Sequence, residues 1–187
     1  VGISRDSYEK TYSGTAKYKL FKQSDRVPFN VSLYGSADMN SQLKKSVYPG
    51  LKTSDRFSYT AQILASRSFS EKLSLEVAPI FVRHNLQDLN FTKTLTHNQL
   101  LFGMGGRYKL SKRLSLNMDY AYNFSKNKNS LYKNPLTIGV DIETGGHVFQ
   151  LLFTNSRASN DSSFLTETTG DWSKGEISFG FNIVRVF

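Results

Sequence analysis

Three groups of residues in this chain carry side chains suited to chemistry. Asp141, Glu143 and His147 combine carboxylates with an imidazole, the mixture from which metal sites and acid/base pairs are built. His84 and Asn85, with His97 and the serines of nearby connections, offer the residue types of a hydrolase whose imidazole activates a hydroxyl. The third group is Lys17, Lys19, Asp38, Glu76, Arg107, Lys109, Asp119, Asp141, Glu143 and Glu176, which mixes both signs of charge. Charges of this kind select solutes when they line a narrow passage, and lock one another when they pair inside a closed one. What each group can do depends on which side chains share a face.

The faces are set by strands. From Leu114 to Ser125, Leu114, Leu116, Met118, Tyr120, Tyr122 and Phe124 fall on one parity and Ser115, Asn117, Asp119, Ala121, Asn123 and Ser125 on the other, the alternation of a strand with one oily and one wet side. Its length matches the roughly 9–11 residues with which a tilted strand crosses a bilayer core. Phe69–Glu76 repeats the turn and strand onset of Leu110–Asn117, so the hairpin is the organising unit. Ten strands are predicted, at about 1–9, 12–23, 29–39, 55–69, 73–83, 97–110, 114–125, 135–144, 147–155 and 175–187. Short connections alternate with long polar ones at 40–54, 84–96, 126–134 and 156–174, the layout of an outer-membrane barrel.

Register follows from the turns. With Gly145 and Gly146 as a two-residue turn, both at positive φ, Ile142 meets Phe149, Val140 meets Leu151 and Ile138 meets Phe153. Across 111–113, Tyr108 meets Leu116, Gly106 meets Met118, Met104 meets Tyr120 and Phe102 meets Tyr122. Apolar residues land opposite apolar ones in both hairpins. On the wet face Arg107 meets Asn117, Gly105 meets Asp119 and Lys109 meets Ser115, which makes Arg107 and Asp119 diagonal neighbours. Pro79 predicts a bulge or register change, because it removes a ladder donor. Arg67 and Arg185 fall on the oily parity near the short-turn end, where a long side chain can snorkel to headgroups.

Alternation weighs on the first two groups. The carboxylates of Asp141 and Glu143 point to the wet face, while His147 shares the oily face of Phe149 and Leu151 and reads as a rim histidine. No serine, histidine and acid come together by strand register, and His84 and His97 stand at opposite ends of one loop. No catalytic residue, cofactor or metal is expected.

Composition fits one domain over residues 1–187. The chain has no cysteine, so neither disulfides nor thiolate sites are available, and its formal net charge is +9. Much of that excess lies between strands, in Lys44, Lys45, Lys52 and Arg56 and in Lys126, Lys128 and Lys133. With no basic helix or nucleic-acid module, nucleic acid is not an expected partner. The mean hydropathy of −0.40 is what a barrel gives when a polar inner face averages with a lipid face. No run of about eighteen apolar residues exists to make a membrane helix. The opening Val1, without Met and within a predicted strand, reads as a mature or truncated segment.

Three features place the oily face in lipid. Aromatics gather toward strand ends, as Tyr120, Tyr122 and Phe124, and as Phe57 and Tyr59, in the manner of an interfacial girdle that Trp172 and Phe187 would join. Both signs of charge share the wet parity with Gly103, Gly105, Gly139 and Gly180. The closing strand alternates Ile177, Phe179, Phe181 and Ile183 up to Phe187, and resembles the terminal strand read by the barrel assembly machinery, departing from it at Arg185.

Residues 7–12 (SYEKTY), 106–110 (GRYKL), 141–150 (DIETGGHVFQ) with 153–156 (FTNS), and 166–172 (TETTGDW) leading to Phe187 together resemble domain-of-unknown-function family 5777, outer-membrane barrels found mostly in Bacteroidetes. The resemblance implies an antiparallel up-and-down transmembrane β-barrel, with about ten strands in this segment and about twelve in the complete barrel, and no established activity.

The expected protein is an outer-membrane pore for small polar solutes, with short turns and C-terminus periplasmic and long loops extracellular. A plugged structural barrel, serving as a subunit or docking platform for other outer-membrane proteins, is the alternative, and a barrel-embedded hydrolase a minor one. Membrane lipid and lipopolysaccharide phosphates facing the loop lysines are the expected partners. The 166–172 segment folds over the mouth as a lid or presents a surface to a partner, and Trp172 fits either role or the girdle. Because membrane barrels leave no open edge in lipid, strand 175–187 is expected to pair with a strand outside this numbering or with another chain. Leu116→Arg or Leu151→Arg should cost about 2–4 kcal/mol near the bilayer midplane and Asn117→Arg far less, measured by denaturant titration in lipid vesicles.

Overall fold

The computed structural model describes residues 1–86, 97–127 and 130–185. Among these the chain is a ten-stranded antiparallel meander in which every strand pairs with its sequence neighbour. The strands are β1 (Gly2–Arg5), β2 (Thr11–Phe21), β3 (Asn30–Asn40), β4 (Phe57–Ser68), β5 (Leu73–His84), β6 (Asn98–Lys109), β7 (Leu114–Asn123), β8 (Leu136–Glu143), β9 (His147–Thr154) and β10 (Ser178–Arg185). All ten predicted strands are present. β1 and β10 are shorter than expected and form the two sheet edges, unpaired with each other.

Both predicted hairpin registers hold. Tyr108 pairs with Leu116, Met104 with Tyr120 and Phe102 with Tyr122; Ile142 pairs with Phe149, Val140 with Leu151 and Ile138 with Phe153. Only Gly145 of the glycine pair takes positive φ, at 59°, which a two-residue turn with glycine at its first central position requires. The bulge expected at Pro79 does not form. Pro79 stays in register with Phe102, and the β4–β5 pairing lapses beside it, between Gln62↔Ile80 and Ala65↔Val77, without shifting. An imino nitrogen removes one donor, and the ladder skips it. The irregularity lies instead between Lys19 and Phe21 on β2. Arg67 does not depend on lipid headgroups alone, because its guanidinium sits 5.0 Å from the centroid of the Phe69 ring, a cation–π contact.

The oily parity is exposed on the outside, with Leu100 at 59%, Met118 at 53% and Phe181 at 50%. A contiguous apolar band of this kind is foreign to a soluble monomer's surface. Among the described residues no helix is long and apolar enough to cross a membrane, so strands are what carry the band.

The long 156–174 connection is the main departure from expectation. It enters the concave face, where α1 (Asp161–Thr166) contacts β3, β4, β5 and β7. Leu165, together with Ala78, Ile80, Val82, Leu101 and Ala121, forms a buried cluster against which Leu64 and Phe164 pack. These wall residues occupy wet-parity positions. The Asn160 side chain caps α1 by accepting from Ser163 N at 3.0 Å, but a helix of six residues owes its stability to such packing and not to its own turns.

The segment is clamped where it leaves the wall. Asn155 donates to the carbonyls of Asn134 and Gly170, each at 3.0 Å, and accepts from Leu136 N at 2.8 Å. Trp172 Nε1 donates to the Leu136 carbonyl at 3.1 Å, and Lys133 Nζ meets Asp171 Oδ2 at 3.3 Å. Gly170 permits the approach, since a Cβ there would stand 2.4 Å from the Asn155 carbonyl oxygen. Gly170→Ala should loosen this segment by about 1–3 kcal/mol, the usual cost of overpacking. Chymotryptic cleavage at Phe164 or Leu165 should then become several-fold faster than in wild type, and equal rates would refute the clamp.

Candidate functional site

The concave face and the segment docked in it form one site with two zones. On the long-loop side the docked segment is held by polar anchors from several elements. Asp6, 4% exposed, accepts from Ser159 N at 2.7 Å and Asn160 Nδ2 at 3.3 Å through one oxygen, and from Tyr8 N at 2.6 Å and Glu9 N at 3.2 Å through the other. Asn160 Nδ2 also donates to Glu9 Oε2 at 2.8 Å. Asp38 accepts from Ser162 N at 3.1 Å, and Tyr34 donates its hydroxyl to Asp161.

Burial pushes the Asp6 carboxyl up, but the Ser159, Glu9 and Tyr8 amides and the Asn160 side chain outweigh it and hold the pKa below the ordinary range. Glu9 moves the other way: burial raises it, bonds from Ser163 and Asn160 only partly oppose that, and Glu167 and Asp6 add repulsion. A negative Asp6 surrounded by N–H donors is therefore the strong anchor.

His84 joins this zone through a chain of donors. Thr166 Oγ1 donates to the Ser162 carbonyl at 2.6 Å, so its single proton is committed and it accepts from His84 Nε2 at 2.9 Å. That leaves His84 Nδ1 to accept from Ser58 Oγ, also at 2.9 Å. A serine–histidine pair therefore comes together by register, Ser58 standing opposite His84, without the acid that a triad needs. The nitrogen facing away from the serine goes to Thr166, not to the carboxylate that a triad places there.

On the short-turn side the face is charged and open. Glu76 and Asp119 flank Gly105, which pairs with both. They line a cavity of about 150 Å³ that reaches Phe164 and Leu165, and a larger one of about 460 Å³ toward the turns, bounded by Ser66, Ser68, Ser74 and Arg107. Arg107 is a diagonal neighbour of Asp119 in register but pairs elsewhere: Nη2 lies 2.6 Å from Glu143 Oε1 and Nε lies 3.9 Å from Asp141 Oδ2. Asp141 also accepts from Gln150 Nε2 at 3.0 Å. Lys109 stands opposite Ser115, and Lys17 and Lys19 opposite Tyr34 and Ser32, at the same end.

Several residues singled out from sequence sit elsewhere. Asp38 lies beneath α1, separate from the charged zone. Glu176 precedes β10 and accepts from Asp171 N at 3.0 Å, so it is a loop residue off the inner wall. His147 lies 6.5 Å from the Phe149 ring, on the side opposite Asp141. Tyr122 and Phe124 meet edge to face at 5.0 Å on the outer surface, and the Tyr120 hydroxyl accepts from Asn134 Nδ2 at 2.9 Å. Trp172 is tied through Nε1 to the Leu136 carbonyl at the start of β8. Phe187 and Lys128 lie outside the described residues. Asp6, Tyr34, Asn155 and Asn160 escaped the sequence reading because their partners lie in distant loops. The one available signal was the run of apolar residues on the wet parity of β5.

The family model described as a membrane bound beta barrel domain matches residues 1–187. No curated protein and no solved structure matches the chain. An up-and-down sheet with an oily exterior, a charged concave face and this match over all its residues agree: the chain belongs to the membrane bound beta barrel domain family, domain-of-unknown-function family 5777.

Proposed function

We propose that this chain forms a narrow outer-membrane pore for small polar solutes, held shut at the long-loop end by its own 156–174 segment. The observation that carries this reading is the pairing of a docked α1 with a charged cavity that continues from it to the short-turn mouth. A solute entering there meets Lys17, Lys19 and Lys109, then the Arg107 pairs, then Glu76 and Asp119, and stops at Phe164 and Leu165. In a narrow, low-dielectric passage these charges act more strongly than in bulk water. The protein acts without catalysing a reaction.

In this reading the long loops face the cell exterior, their lysines pair with lipopolysaccharide phosphates, and the short turns and C-terminus are periplasmic. β10 is the strand engaged by the assembly machinery. The free edges of β1 and β10 take partner strands, since unpaired backbone groups in lipid cost several kcal/mol each; about twelve strands complete the barrel.

The plugged structural barrel is favoured by a different observation, the breadth of the plug's anchoring from residues 6–9 to β7. Planar-bilayer recordings separate the two. Leu165→Ala should weaken docking by about 2–4 kcal/mol and raise conductance above a nearly silent wild type; Asp119→Asn placed in that background should move the reversal potential toward anions. If the wild type and Leu165→Ala are both silent, the pore reading is abandoned and the structural subunit remains.

Acidity supplies another check. The folded pKa of Asp6 lies below its unfolded value, so its contribution is complete above about pH 3.9 and is lost as pH falls through the folded pKa. Glu9, whose folded pKa is raised, favours docking once protonated. Conductance should therefore not rise between neutral and about pH 5 and should rise only in strongly acid solution; a rise at mild acidity would contradict the Asp6 anchor.

A further inference from the structure

Four buried oxygens beneath α1 lack hydrogen-bond partners: Ser13 Oγ, Ser36 Oγ, Asp38 Oδ1 and Thr60 Oγ1. Their residues are 5%, 7%, 2% and 3% exposed. The register makes them one patch. Ser13 stands opposite Asp38, Ser36 stands opposite Thr60, and Ser36 and Asp38 are two apart on β3, so all four point to the same face. Buried polar atoms are satisfied in the great majority of cases, and four unsatisfied oxygens on one patch share a cause.

Charge indicates what that cause is. Asp38 binds Ser162 N through its other oxygen, and the preceding residue, Asp161, faces Tyr34, Ser36 and Asp38. Burial pushes the Asp161 carboxyl up and the Asp38 charge adds to it, against the hydrogen bond from the Tyr34 hydroxyl. Arg107 and Lys133 are paired elsewhere, with Asp141 and Glu143 and with Asp171. A buried Asp38 beside a partly buried Asp161, with no cation next to them among the described residues, is unfavourable. A water molecule would satisfy the hydroxyls and leave that charge in place.

We propose that the patch binds a hard divalent cation of the calcium type between Asp38 of the wall and Asp161 of the plug, with the hydroxyls of Ser13, Ser36 and Thr60 completing its oxygen shell. Oxygen-only donors select hard cations over copper or zinc. Among the described residues no group of three or more His, Asp or Glu is placed to hold a metal ion, so the shell rests on neutral oxygens, which calcium accepts in irregular six- to eight-fold arrangements and magnesium does not. Bound there, the ion latches plug to wall. The inference rests on the docked position of α1 and not on conduction, so a barrel silent in bilayers leaves it standing.

The test uses the full chain in detergent micelles, stripped with EGTA and titrated with terbium excited through tyrosine, with Tyr34 adjacent. Luminescence should saturate at one ion per chain and be displaced by calcium before magnesium. Asp38→Asn should weaken binding by about tenfold or more. Thr60→Val, which keeps the side-chain shape and so the fold, should weaken it several-fold while heat-modifiable gel migration stays unchanged. EGTA should also speed chymotryptic cleavage at Leu165 in the wild type. Absence of saturable terbium binding to the folded wild type, or a folded Thr60→Val that binds as tightly as wild type, overturns the site.

Discussion

Everything in this molecule depends on keeping a period of two in step across ten strands. A slip of one residue in β6–β7 or β8–β9 would turn Lys109 or Asp141 into lipid, at a cost of several kcal/mol. The ladder is accordingly conservative. β5 and β6 run from Leu73↔Tyr108 to Arg83↔Asn98 without a shift, and even Pro79 is accommodated by omitting hydrogen bonds on one side while the count continues. The register shift that does occur, between Lys19 and Phe21, lies at the end of β2, where few residues remain to be thrown onto the wrong face.

With the outer face committed to lipid, the inner face carries all the specificity. It divides by height. Near the long loops, β5, β6 and β7 present Ala78, Ile80, Val82, Leu101 and Ala121, which bury Phe164 and Leu165; near the short turns they present Glu76, Arg107, Lys109 and Asp119. The apolar half supplies non-directional attraction for the plug, and the carboxylates of Asp6, Asp38 and Asp161 fix its orientation. Asp6, Asp38 and Asp161 stand at the long-loop end, whereas at the short-turn end Glu76, Asp119, Asp141 and Glu143 mix with Arg107, Lys17, Lys19 and Lys109. Both signs of charge therefore share the short-turn half, while the long-loop half is acidic and closed by the docked segment.

The fold was legible because each strand carries its own signal. Alternation at 114–124 and paired turns at 111–113 and 145–146 determine faces and partners within a few residues of each other, and both registers followed from them. The plug was not legible for the opposite reason. Its partners, such as Asp6 with Ser159 and His84 with Thr166, are joined by folding alone, and nothing local in 156–174 distinguishes an inward loop from an outward one. A trace of it did exist in β5, where the wet parity reads Ala78, Ile80, Val82: a strand oily on both sides needs something to cover the second. Ser58 and His84 lie opposite each other across β4–β5, but the turn that joins those strands is at their other end, so this pairing depends on the whole ladder staying in step.

The bond from Ser159 to Asp6 joins residues 153 positions apart, whereas every strand pairing joins sequence neighbours. Meander pairings close small loops and form early, while contacts of large sequence separation bear the entropy of the whole intervening chain. The plug's last anchor therefore forms only after the sheet has curled far enough to bring its first hairpin beside its ninth strand. Assembly passes through a stage in which the wall is built and the interior is still unsealed, and docking of α1 marks the completion of the curl.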